Sequence, residues 1–582
     1  MYLLINRLGE VYRPKESVSY PWPELHIGQN GLVFYNPAMP GESRSRLVRW
    51  LDELLKNRQL AEGFRFLELH ESSFAAIKPT EVNAGAIMVR LAQWVDLGYR
   101  DLAFLQSLVN RFPPEQRGRM RLNEFLQLNM AEAFCAMGDE DLERAIRFLS
   151  FVLQSEQELG DKRLAAIAHF WKGRSHRKKG EYGEAMVHVT KGRELMQAIR
   201  EPKLAAVIQI QESWLLFQKG RLNEAHQLLS EAWTQLSATD DLLSLGNIES
   251  ARGRMKRQAG KYGEALAHFE KAAQLYAQRD PNHRNLARVL VNSASVKRLI
   301  ALQLRKRIDA RAGSSLSERR GGASERGVAS CRARYTQTCN EALEQLQRAG
   351  EIYVQHHHYT GTASALVSAG YLHLDNGDVD LGSSEALKAF KLAQDKNDFI
   401  HMARARTLQS IVENTRVNEQ LGEDADVAVY ANDALHYAEE AVRWAESTQN
   451  RHLAAEAYVA RGAALANDFF QEWEEARRCV DHTVTLLDLE DRDHPWEDLM
   501  ALKARILRAS SIDETLRAWS EGLLGDKTFQ QVTEEFAEIV IPKVWQREDK
   551  KVLRVSSRLS MSPKKVRRIL RNVGLLQWSD SA

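Results

Sequence analysis

Cysteine is scarce. Cys135, Cys331, Cys339 and Cys479 are the four in 582 residues; none belongs to a Cys-x-x-Cys pair and none has a histidine at zinc spacing. This excludes a disulfide framework and a zinc cluster as organising devices, and reduced thiols in a cytoplasm fit the pattern. No run approaches the roughly 20 uninterrupted apolar residues that span a bilayer. The opening MYLLINRLGEVYR has too short an apolar stretch, and no cleavage site, for a secretory signal. Prolines (13) and glycines (33) are few, which removes the punctuation of a turn-rich β protein and favours long helices. Catalytic signatures are also missing. There is no Gly-x-Ser-x-Gly and no His-Glu-x-x-His, and GLLGDKT from Gly522 lacks the spacing that cradles phosphates. No enzyme, cofactor or metal is expected. His356, His357 and His358 read as a solvated loop between helices, and LEDRDHPWED from Leu489 as a turn without calcium-loop spacing.

What is present is unevenly charged. The formal net charge is only +2. Yet Asp549 to Gly574 holds nine Lys or Arg against one Asp, and Arg305 to Arg334 holds nine against three acidic residues. Two basic islands on an acidic body suggest contact with a polyanion.

Self-comparison finds a forty-residue ruler. GEYGEAMVHVTKG from Gly180, GRLNEAHQLLSEA from Gly220 and GKYGEALAHFEKA from Gly260 align without gaps. The small residue after Glu marks the register at Ala185, Ala225 and Ala265. The series extends back to Ala145 and Ala103, and forward to Ala342, Ala386, Ala434, Ala476 and Ala518. This pattern resembles the tetratricopeptide repeat, in which each unit is an antiparallel helix pair. The resemblance covers roughly residues 85–520, with repeats longer than the family's usual 34 residues. It implies an all-α fold: a right-handed solenoid of long helix pairs with a groove for peptides or protein partners.

Four regions follow. Residues 1–48 escape the ruler and read as an irregular cap, with a small hairpin around Asn30-Gly31. Residues 49–524 form the solenoid. The step from Ala265 to Ala342 is 77 residues, and its excess, about 303–338, is rich in Arg, Gly and Ser; we expect a flexible insertion between two helices of one unit. Residues 525–582 form a linker helix and a terminal helix pair.

In that pair, Lys551 to Leu559 is a short helix. Ser562 suits an N-cap, Pro563 the first helical position, and Gly574 the position past the end of a second helix. The string VSSRLSMSPKKVRRILRNVG from Val555 resembles the helix-turn-helix of the Fis-type DNA-binding family, with Leu559, Met561, Ser562, Val566, Leu570 and Gly574 on its key positions. It departs at three places: Val555-Ser556 replaces the Ala-Ala pair, Lys565 the usual Thr, and Ser560 the turn glycine, where φ is positive. The resemblance implies that Ser562, Lys564, Lys565, Arg567, Arg568 and Arg571 meet double-stranded DNA in the major groove, Arg567 and Arg568 reading guanine. It also implies a homodimer on two half-sites.

Counting from the ruler places Arg174, Arg177, Trp214, Arg254, Arg257 and Lys297 on the groove side of the first helices. That set would suit an acidic or C-terminal-carboxylate peptide, or would pair with neighbouring Glu. The expectation is a cytoplasmic, bacterial DNA-binding transcriptional regulator whose solenoid binds a protein or peptide. The alternative is a solenoid scaffold whose basic tail is only electrostatic or RNA-binding.

Overall fold

The computed structural model describes residues 44–79, 81–314, 323–419, 424–487, 494–509, 528–573 and 575–576, together with five two-residue strands before residue 44. Two compact units divide the chain, Met1–Met500 and Ala501–Ala582.

In the first unit, antiparallel helix pairs follow one another along the chain. Leu122–Gly138 pairs with Leu142–Gln154, Lys162–Lys179 with Tyr182–Ala198, Pro202–Gln218 with Leu222–Leu236, and Leu242–Gln258 with Tyr262–Arg279. Arg284–Ser314 with Ala323–Gln355, Tyr359–Asp375 with Val379–Asp395, Phe399–Asn418 with Asp424–Glu446, and Arg451–Leu465 with Trp473–Leu486 complete the series.

The reason for the forty-residue period is visible at each turn. Gly180, Gly220 and Gly260 end a first helix with φ of +84°, +75° and +70°, a conformation glycine enters without the Cβ penalty. The second helix then buries one residue in every three or four. Ala225, Leu229, Ala232 and Leu236 form one such stripe, and Ala265, Phe269, Ala272 and Tyr276 the next. The register alanines Ala145, Ala185, Ala225, Ala265, Ala342, Ala386, Ala434 and Ala476 are all fully buried where the two helices of a pair meet. Ala103 is exposed, and Leu105, Leu108 and Val109 carry that helix's contacts instead. Ala518 lies outside the described residues. First helices are covered on most sides, because a neighbour lies on each flank and the second helices lie behind; in Pro202–Gln218, 11 of 17 residues are buried.

The expected insertion at 303–338 is corrected. Helix Arg284–Ser314 runs 31 residues and Ala323–Gln355 runs 33, so both continue through most of that stretch. Arginine and alanine are strong helix formers, and an Arg-rich sequence without large apolar residues describes a solvated helix as well as a loop. Residues 315–322, between the two helices, lie outside the described set.

The pairs wind far enough for distant repeats to touch. The Gln449 N–H donates to the Gly180 carbonyl at 2.9 Å, and the Gly183 N–H to Gln449 Oε1 at 2.6 Å. Arg451 Nε reaches the Gln218 carbonyl at 3.2 Å, and the Thr360 N–H reaches Glu140 Oε2 at 3.1 Å. Nearer the N-terminus, Arg58 forms a fully buried pair with Asp241, while Asp240 accepts from the N–H groups of Leu60 and Ala61 at 2.7 Å each. Before residue 44, His26–Ile27 pairs antiparallel with Val33–Phe34 and Leu4–Ile5 with Val11–Tyr12.

Among the described residues of the second unit, three helices pack together: Phe529–Arg547, Val552–Arg558 and Pro563–Asn572. Their core is Ala537, Ile541, Trp545, Val555, Val566, Ile569 and Leu570. Thr528 and Gln531 form a reciprocal capping box that starts the first of them.

Candidate functional site

Two surfaces collect the residues singled out above, one in each unit. In the first unit the first helices lie on the inner side of the curve. Arg174 and Arg284, on first helices three pairs apart along the chain, share the carboxylate of Asp96, so first helices of distant pairs converge on one face.

Arg174, Arg177, Trp214, Arg254 and Arg257 contribute to this inner face. Arg177 lies over the Trp214 ring at 4.8 Å, a cation–π contact that also presses Trp214 against Tyr182. Arg174 is committed to Asp96, at 2.5 and 3.1 Å, and Arg284 shares that carboxylate at 3.5 Å. Arg288 donates to Asn247 Oδ1 at 2.7 Å, as does the Tyr276 hydroxyl at 2.8 Å. The Nε atoms of Arg177, Arg254, Arg257 and Arg288 are buried and meet no acceptor within the protein.

Crowding of like charge shows in the proton affinities. Burial, then Arg288 and Arg177, lowers Arg254 to about 9. Burial, then Arg288 and Arg174, lowers Arg177 to about 10. Burial lowers Lys178 to about 8, with Glu140 pulling the other way and Arg284, Arg174 and Arg177 adding to the drop. All three remain cationic at neutral pH.

Lys297 is a correction. It turns to Glu341 on the second helix of its own pair, at 2.7 Å, while the next residue, Arg298, reaches the first helix of the next pair, over Tyr371 at 4.5 Å and onto Asp375. First helices begin at Lys162, Pro202 and Leu242, but the next begins at Arg284, two residues behind the forty-residue step, so the ruler is out of register there. The count also passes over Arg284 and Arg288, because it picks positions late in the first helices and these two open theirs. Their signal in sequence was an i, i+4 arginine pair just after Asp280-Pro281.

The three histidines separate. His356 and His357 are exposed, whereas His358 caps the next helix by accepting from the Gly361 N–H at 2.9 Å. Burial pushes its pKa well below the ordinary value. Among the described residues no group of three His, Cys, Asp or Glu is arranged to hold a metal ion. None of the described helices is long and apolar enough to cross a membrane.

In the second unit, Ser562 accepts from the Lys565 N–H at 3.2 Å and Pro563 takes the first helical position. Gly574 lies outside the described residues, and the Leu575 N–H returns to the Leu570 carbonyl at 2.9 Å. Residues Leu559 to Ser562 join the last two helices, and Ser560 sits at φ +52°. Val566, Ile569 and Leu570 face the core, which leaves Lys564, Lys565, Arg567 and Arg568 exposed on the opposite side and Arg571 half-buried. Arg568 is not free: it reaches Glu534 on the first helix of the unit at 2.9 Å. Arg554 pairs with Asp549 at 2.9 Å, and Arg558 with Glu548.

No protein-family model matches the chain. No curated protein matches it either. Among solved structures, a Rap protein complexed with Competence and Sporulation Factor is similar at 10% identity and TM-score 0.47, over 69% of this chain and 98% of that one. The IFIT1 monomeric mutant with Gppp-AAAA is similar at 13% identity and TM-score 0.42, over 76% and 88%. The quorum sensor NprR from B. thuringiensis, in its apo form, is similar at 11% and 0.35, over 77% and 100%. At these identities the likeness extends no further than helix-pair architecture.

Proposed function

We propose that the chain is a DNA-binding regulator, cytoplasmic and bacterial, whose helical-repeat unit receives a protein or peptide partner on its inner face. The proposal assigns it no catalytic activity. The observation that carries it is the last helix of the second unit. Its apolar side is sunk in a three-helix core, its other side presents Lys564, Lys565, Arg567 and Arg568, and Ser560 bends the preceding turn in the left-handed conformation that a tight helix–helix turn demands.

A helix anchored this way leaves its basic side available to a ligand. It fits a major groove, with Arg567 and Arg568 facing base edges and Lys564, Lys565 and Arg571 facing phosphates. The Glu534 contact to Arg568 then acts as a gate, since that pair must open before Arg568 reads a base. An exposed pair of this kind is worth at most about 1 kcal/mol, so it yields readily. Two copies reading adjacent half-sites would supply the affinity that one short helix lacks.

The test is a binding selection of the full chain against a random duplex pool at about 150 mM salt. A truncation ending at Gln546 and an Arg567→Ala, Arg568→Ala variant run beside it. One enriched motif, lost in both controls, supports the reading. Binding without enrichment that fades steeply with salt leaves a solenoid scaffold with an electrostatic tail.

A further inference from the structure

The inner face of the first unit holds more positive charge than its own acids neutralise. Arg174, Arg177, Lys178, Arg254, Arg284 and Arg288 crowd one region of it. The carboxylates of Asp96 and Glu140 are there too, but Asp96 is shared between Arg174 and Arg284, and Glu140 is held by the Thr360 N–H. Asp241, near Tyr276, is taken by Arg58. Four guanidinium Nε atoms in this region or beside it, those of Arg177, Arg254, Arg257 and Arg288, are buried without an acceptor. A buried donor left unpaired bears its full desolvation cost, so the arrangement destabilises the unit unless something serves it.

We infer that Arg177, Arg254 and Arg288, with Arg257 beside them, form a binding site for the phosphate groups of a phosphorylated ligand. This rests on the reading of the inner face as the unit's ligand surface and names the chemistry recognised there.

Three features favour phosphate over carboxylate. The buried N–H groups without an acceptor here all belong to arginines, whose planar forks match phosphate oxygens two at a time, whereas the lysine beside them, Lys178, is a point charge. A carboxylate carries one charge and serves one fork, while a phosphate monoester or a diphosphate carries two or three and serves several converging forks from one centre. Preorganisation is the third. The Trp214 ring holds Arg177, and Asn247 holds Arg288, so little side-chain freedom remains to be lost on binding. The phosphate's source, a small phosphorylated molecule or a phosphorylated side chain of a peptide, is shared chemistry that the probes separate.

The experiment is isothermal titration of the full chain at neutral pH with inorganic pyrophosphate, with a phosphoserine peptide, and with its glutamate counterpart. Saturable pyrophosphate binding is expected, weakened at least tenfold by Arg254→Gln or by Arg177→Gln. Lys256→Gln, on the same helix as Arg254 but paired with Glu264 at 2.5 Å, and the Arg567→Ala, Arg568→Ala variant leave it unchanged. Thermal melting guards against misfolding and adds an independent sign. Because Arg254→Gln removes a crowded charge, the ligand-free variant should melt higher than the parent while binding worse.

A stronger response to the phosphoserine peptide than to pyrophosphate assigns the phosphate to a protein partner; the reverse assigns it to a small molecule. Absence of saturable pyrophosphate heat, or equal binding by Arg254→Gln, overturns the inference. If the glutamate peptide alone binds, the phosphate site falls while the partner reading of the inner face stands.

Discussion

Ser560 offers a direct measure of how far the turn between the last two helices is imposed by its surroundings. Its φ of +52° costs a residue with a Cβ roughly 1–2 kcal/mol. Ser560→Gly removes that cost but gives the unfolded chain more freedom, worth about 0.4–1 kcal/mol in the other direction. The balance favours glycine by about 0.5–1 kcal/mol. Ser557 is the matched control: it is exposed, and it sits inside helix Val552–Arg558. Ser557→Gly has no strain to relieve and pays the helix penalty of glycine over serine, about 0.5 kcal/mol. The same chemical change three residues apart should therefore act with opposite sign.

Amide hydrogen exchange on the full chain reads both variants without isolating the second unit. With 1.4 kcal/mol per factor of ten, amides of Val566 to Leu570 should exchange roughly 2–5-fold more slowly in Ser560→Gly and about twofold faster in Ser557→Gly. Equal shifts of the same sign would refute the argument, because they would mean that Ser560 is not strained by its turn.

Other outcomes follow from the first unit. Asp241→Ala strands the buried Arg58 guanidinium and should cost about 3–5 kcal/mol, visible as a lower urea midpoint. Gly253→Ala places a Cβ 2.6 Å from the Phe269 ring, so the ring must move; a loss of about 1–3 kcal/mol in the same assay is expected. The lowered pKa of Lys178 sets a pH trend. Between about 8 and 10.5 the unfolded chain still holds a proton that the folded chain has released, so this residue's unfavourable contribution fades as pH rises through that window. Lys178→Met should therefore stabilise at pH 7, by about 3 kcal/mol at most, and its advantage should vanish by pH 10.5 in parallel denaturation curves.

The residues explain which parts of this were legible in sequence. Positions where two helices touch closely admit only small side chains, so Ala185, Ala225 and Ala265 announce the helix pairs directly, and the glycines before them announce the turns. The Ser-Pro start of the last helix is equally local: an N-cap and a fixed φ are properties of two adjacent residues. The inner face is not local. Which of Lys297 and Arg298 turns toward the next pair depends on the rotation of the helix, and a shift of one residue moves a side chain about 100° around the axis. The missing acceptors of Arg254 and Arg288 depend on contacts from other repeats, which no periodicity encodes. The Arg-rich stretch at 303–338 misled for a related reason: low hydrophobicity reports solvent exposure, and a solvated helix satisfies it too.

The hydrogen bonds between Gly180 and Gln449, and between Glu140 and Thr360, bear on how such a chain is free to change over evolution. An open array tolerates gain or loss of one repeat by gene duplication or deletion, because each repeat contacts only its neighbours. Here, removing a forty-residue unit between Gly183 and Thr360 would rotate one side of these contacts away from the other and break both sets together. The number of repeats is thereby locked. New length is accommodated only by stretching both helices of one pair, and the hairpin from Arg284 to Gln355 has grown in that way.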